Sequence, residues 1–121
     1  MKTDYFSYAL VAAGGFIGAV LRWFIEGQAP SLAGTLLVNF LGCVVIGIFM
    51  YESIYVGAFS RETRIFFGIG VIGAFTTFSA LAVQSFEAGP ALGCLNITAN
   101  LVLGVCGIFL GRYFITYNRG I

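Results

Sequence analysis

Gly73-Ala74-Phe75-Thr76-Thr77-Phe78-Ser79 lies at the middle of a run without a charged residue, from Ile65 to Phe86. That run is 22 residues long, enough to cross a bilayer as a helix. Its flanks are apolar, yet its centre carries a glycine, two adjacent threonines and a serine. In hydrocarbon, backbone groups freed by a helix break must find partners. Irregular backbone at that depth is tolerated only where protein buries it or where it lines a cavity. A polar break at the midplane is therefore expected to be a site for an ion or a substrate. Its placement predicts a protein that moves something across a membrane.

The rest of the chain has the composition such a protein needs. It has 121 residues, 60% hydrophobic and 9% charged, with a mean hydropathy of +0.99. A soluble domain averages about 25% charged residues. The charges also cluster. Uncharged runs of 17, 25, 22 and 24 residues separate Asp4 from Arg22, Glu26 from Glu52, Arg64 from Glu87, and Glu87 from Arg112. Four runs of that length predict an all-α membrane protein, one four-helix domain over residues 1–121. The spans are expected at about 5–24, 34–51, 65–86 and 91–115. The first run is longer than a usual signal-peptide core and has no clear cleavage site, so it reads as a span. Four helices enclose little interior, and oligomerisation is expected.

Several function classes drop out. A net charge of +1 offers no basic patch for nucleic acid. There is no histidine, so no Ser-His triad and no His proton relay. No pair of carboxylates falls inside a span, so general acid–base chemistry, and an enzyme, are not expected. Cys43, Cys94 and Cys106 form no CxxC pair and read as small buried apolar residues.

Polar residues inside the spans fall on shared faces. Thr35 and Asn39 are four apart on the second span, and Cys43 and Gly47 continue that face. Asn96, Asn100 and Gly104 repeat the spacing on the fourth. Such an asparagine is either interhelical glue or a donor along a pathway. Arg22, at the end of the first span, is either a snorkelling anchor or a cation at a pore mouth. Glu52 to Arg64 reads as a solvated loop without a site. Gly14-xxx-Gly18 and Gly107-xxx-Gly111 allow close helix approach, and Pro90 suits the first turn of the fourth span. The inward-facing set is neutral, which favours a passive pathway over proton coupling. Phe75 and Phe78 flank the threonines, and an aromatic ring presents a positive edge to an anion.

These residues resemble a known family. Residues 73–79 are similar to the Gly-Gly-x-Thr-Thr-Phe-Ser signature of the Fluc (CrcB) fluoride channels. Gly14 to Arg22 resembles the family's Gly-rich opening that ends in arginine. Gly34-Thr35-Leu36-Leu37-Val38-Asn39-Phe40-Leu41-Gly42 resembles its Gly-Thr-x-x-Val-Asn-x-x-Gly motif. The resemblance covers nearly the whole chain. It implies a dual-topology antiparallel dimer, multi-pass in the plasma membrane, that passively conducts F⁻ over chloride and lowers cytoplasmic fluoride. It implies a structural, untransported Na⁺ at the dimer centre, held by carbonyls of Gly73 and Thr76. By motif position it places Phe78, Asn39, Thr35, Thr77, Ser79 and Arg22 along the anion pathway. Asn100 joins them on the fourth span, with Asn96 and Gly104. Fluoride, lipid and a second chain are the implied partners.

Two departures keep alternatives open. The family carries a second phenylalanine three residues after the first, where this chain has Leu81. Lys2, Arg61, Arg64, Arg112 and Arg119 fall on one side of the membrane, and Arg22 on the other. Such a bias fixes a single orientation. It predicts a heterodimer with an oppositely oriented related chain, in which this chain conducts or serves as a weakly conducting or non-conducting partner. A small four-helix multidrug transporter is the remote alternative, but it needs a glutamate embedded in its first span.

Overall fold

The computed structural model describes residues 4–120; Lys2 lies outside them. Helix α1 (Tyr5–Glu26) begins at Asp4, whose carboxylate accepts from the Ser7 amide. Bonds from the Ser7 hydroxyl and amide, then from Arg61, hold that carboxyl below its usual pKa of 3.8. Helix α2 (Ser31–Tyr51) runs on through a π-helical turn, Glu52–Val56. The third span has two helical parts, α3 over residues 61–75 and α4 (Ser79–Glu87). Much of α3, Arg64–Ile72, is π-wound. Helix α5 (Pro90–Arg119) starts on its proline, where the missing N–H costs nothing.

Four segments are long and apolar enough to span: Tyr5–Glu26, Ser31–Val56, Arg61–Glu87 and Pro90–Arg119. The shortest has 22 residues, roughly 33 Å of helix, against a hydrocarbon core of about 30 Å. This is a multi-pass membrane protein. Helix α1 packs mainly on α3, and α2 mainly on α5. Glycine sets both contacts. A Cβ on Gly18 would run into the Val71 carbonyl, and one on Gly111 into the Val44 carbonyl. Backbones this close gain dispersion contacts that lipid, as apolar as leucine, does not otherwise favour. The buried apolar set within one chain is small, Val38, Ile72 and Leu81. Most large apolar side chains point outward, as a lipid-facing surface requires.

Two expectations need correcting. The segment from Glu52 onward is not a solvated loop: helix continues to Val56, leaving residues 57–60 as the connection. Glu52 is only 8% exposed. It can be buried because Arg119 Nε and Nη2 donate to its two carboxylate oxygens at 2.8 and 2.6 Å. The same fork ties Arg119, at the end of the last helix, to the end of α2. The cysteines are not uniformly buried either. Cys94 and Cys106 are exposed and Cys43 is half-buried, because the inner face of α5 is taken by its glycines and asparagines.

Candidate functional site

The first helical part of the third span ends at Phe75, and the Thr76 amide makes its last main-chain bond, to the Ile72 carbonyl at 3.1 Å. Thr76 is extended, at φ −77° and ψ 156°, and helix resumes at Ser79. In a membrane this leaves main-chain groups to be satisfied, and side chains satisfy several of them. Asn39 on α2 reaches across. Its Oδ1 accepts from the Thr77 amide at 2.8 Å, and its Nδ2 donates to the Thr77 carbonyl at 3.0 Å. Thr77 Oγ1 accepts from the Ala80 amide at 3.2 Å and caps the start of α4. Thr76 Oγ1 donates back to the Ile72 carbonyl at 3.2 Å. The methyl group of Thr76 lies against Gly42, where a Cβ would collide with it.

Diverting those amides frees carbonyls. Thr77 N–H would ordinarily donate to Gly73, and Ala80 N–H to Thr76, four residues back. Both donate to side chains instead. The Gly73 and Thr76 carbonyls thus lack their helical donors. Such hard neutral oxygens are of the type that can hold a monovalent cation.

Asn39 is the near end of a longer chain of bonds. Its Nδ2 also donates to Asn100 Oδ1 at 3.0 Å. Asn100 Nδ2 donates to the carbonyl and Oδ1 of Asn96 at 2.9 and 3.2 Å. Asn96 Nδ2 donates to Ser85 Oγ at 2.9 Å. Thr77, Ser85, Asn96 and Asn100 are all buried. Among sequence-level features, only the four-residue spacing on the fourth span pointed to this chain. Ser85 gave no signal, because nothing in sequence says that the α4–α5 turn folds it onto Asn96.

Two recesses meet at the interruption. A groove of about 450 Å³ is bordered by Asn39, Gly73, Thr76, Thr77, Phe78 and Asn100. Phe78 stands on its rim, 81% exposed. A second recess of about 600 Å³ is bordered by Arg22, Glu26, Glu87, Gln84, Ser79 and Thr77. Thr77 therefore borders both. Arg22 makes no ion pair among the described residues. The buried Oε1 of Gln84 has no partner among them.

The structure thus brings together Gly73, Thr76, Thr77, Phe78, Asn39 and Asn100, and sets Arg22 with Ser79 one step away. Thr35 is not brought in. It has no exposed surface, borders neither recess, and donates its hydroxyl to Glu26 Oε1 at 3.3 Å. Leu81 is also buried, 7% exposed, with its edge on the first groove.

Four apolar spans, with a polar interruption held by side chains in the third, define an all-helical multi-pass membrane protein. Residues 9–112 match the family described as CrcB-like protein, Camphor Resistance (CrcB), and the chain belongs to that family. Among its relatives, "Fluoride-specific ion channel FluC 1" of Methanospirillum hungatei is 55% identical over 111 residues, covering 92% of this chain and 79% of the relative. "Fluoride-specific ion channel FluC 2" of Methanosarcina mazei is 48% identical over 108 residues, covering 88% and 84%. "Fluoride-specific ion channel FluC 1" of Haloarcula marismortui is 40% identical over 111 residues, covering 92% and 87%. These named relatives are ion channels, not enzymes.

Proposed function

We propose that this chain forms a passive fluoride-selective channel in the plasma membrane, which lets F⁻ leave and so lowers cytoplasmic fluoride. The observation that carries the reading is the interruption at residues 76–78. It sits between two recesses, is held by Asn39, and carries an exposed phenylalanine in a chain whose relatives bear the fluoride-channel name. A small anion leaving by this path meets the positive edge of Phe78, then the hydroxyls of Thr77 and Ser79, and last the Arg22 guanidinium in the far recess. Each of the neutral groups replaces part of a hydration shell, and none of them carries a charge that would trap the ion.

The pathway is completed by a second chain packed antiparallel on the groove side. At that contact the third span is broken at the bilayer midplane. The carbonyls of Gly73 and Thr76 from both chains hold a structural Na⁺ there, which bridges the chains and is not transported. Of the other motif residues, Asn39 and Asn100 border the groove, whereas Thr35 acts only through Glu26 and the α1–α2 packing.

A second reading is favoured by Leu81. Its position beside the groove offers no ring edge, so one anion station found in the family pattern is absent. In that reading the chain is the weakly conducting or non-conducting half of a heterodimer. Efflux from proteoliposomes containing this chain alone separates the two, read by a fluoride electrode beside a chloride control. Rapid fluoride-selective efflux supports a homodimeric channel. Folded protein without efflux supports an obligate partner.

A further inference from the structure

The asparagine chain has a direction, and main-chain groups set it. An asparagine amide is read one way round or the other from its bonds. Thr77 N–H can only donate, so the atom facing it must be Asn39 Oδ1. That leaves Asn39 Nδ2 for the Thr77 carbonyl and Asn100 Oδ1. Asn100 must then present Nδ2 to Asn96, where a main-chain carbonyl again accepts only a donor. Asn96 Oδ1 is the second acceptor there, which turns Asn96 Nδ2 toward Ser85 Oγ. Each step fixes the next.

Counting donors changes what these side chains can do. A primary amide has two N–H groups. Both of Asn39 are used, on Thr77 and Asn100, and both of Asn100 are used on Asn96. Neither keeps an N–H for a passing anion unless an internal bond breaks. In a low-dielectric interior a bond left unmade is costly.

We infer that Asn39, Asn100, Asn96 and Ser85 form a positioning relay rather than a row of anion ligands. The relay runs from the α4–α5 hairpin to the Thr77 peptide and thereby sets the direction of Phe78. Ser85 and Asn96 are its anchor. They act on the ion path through Asn39, and Ser85 lines neither recess. The hairpin suits that task. Gly93 lets α5 approach the Ser85 carbonyl so closely that any Cβ would collide with it. The anchor is therefore held by backbone packing and not by side chains alone.

The test uses the full chain in lipid nanodiscs. Amide hydrogen exchange is followed at residues 76–80 in wild type, Ser85→Ala and Ser85→Thr. A relay predicts that Ser85→Ala speeds exchange of the Thr77 amide by roughly five- to tenfold, the effect of about one hydrogen bond. Ser85→Thr, which keeps the hydroxyl, restores the wild-type rate. Were Ser85 only a packing residue of the hairpin, Ser85→Ala would speed amides around residues 85–96 and leave Thr77 unchanged. That result overturns the relay. Should Ser85→Ala not fold, Ser85→Cys keeps the shape with a weaker acceptor and gives the same prediction at smaller size. The fluoride-to-chloride permeability ratio supplies a second readout and rests on the fluoride reading. It falls in Ser85→Ala and recovers in Ser85→Thr. The exchange result stands or falls without any flux, so failure of the relay and failure of the channel are distinguishable.

Discussion

Asn39 shows how one side chain can make a non-helical peptide tolerable in a membrane. Its amide matches the donor and acceptor of the Thr77 peptide, so the span loses helical geometry without leaving that peptide unsatisfied. Replacing it by leucine roughly keeps the volume and removes three bonds, two to the Thr77 peptide and one to Asn100. At about 1–3 kcal/mol for each of the three stranded groups, Asn39→Leu is expected to cost about 3–9 kcal/mol, read as lower stability to unfolding in detergent. Phe78 is the opposite kind of residue. It is 81% exposed within the chain, so Phe78→Ile is expected to leave the stability of the chain within about 0.5 kcal/mol of wild type, as for other exposed positions. Fluoride flux should fall at least about tenfold, because an aliphatic chain has no positive edge. The polarity of residue 39 could be read from sequence, but its partner could not. Thr77 lies 38 positions away, and an asparagine in a span serves as glue or as pathway donor with equal plausibility until its bonds are known.

At the scale of elements, charge spacing carried most of the information. The four uncharged runs mark the four spans because charge is expelled from hydrocarbon. Helix runs on past residues 51 and 115, to Val56 and Arg119, and there Glu52 and Arg119 pair. The Gly-xxx-Gly steps marked real contacts, but sequence could not say which glycine bears the closest approach. Gly18 does, against Val71, whereas a Cβ on neighbouring Gly15 would meet nothing nearer than the Ala74 methyl at 4.0 Å. Gly18→Ala is therefore expected to force α1 off α3 at about 1–3 kcal/mol, the usual range for overpacking. Gly15→Ala should be neutral. Chemical denaturation of the two variants side by side checks the pair.

For the whole molecule the question is orientation. The Asp4–Arg61 and Glu52–Arg119 pairs tie the start of α1, the middle connection and the end of α5 to one end of the bundle. Arg64 and Arg112 belong to that end too, and Arg22 to the other. Lys and Arg counts set topology largely regardless of acidic neighbours, so these pairings do not weaken the bias. The chain is expected to insert with both termini cytoplasmic. Reporter fusions at each terminus, expressed without a related chain, should agree on that side. Equal signal from both sides would instead fit a chain that builds its own antiparallel dimer. Neither a partner chain nor the surface it would cover can be read from composition, because lipid-facing and chain-facing surfaces are apolar alike.

The most direct test of the account is the reversal potential of the reconstituted protein in a planar bilayer, with NaF on one side and an equal concentration of NaCl on the other. A fluoride pathway through the Thr77–Phe78 interruption predicts a large potential of the sign set by F⁻ moving down its gradient, unchanged when Na⁺ is replaced by a bulky cation. A reversal near zero, or one that follows chloride or the cation, would contradict it.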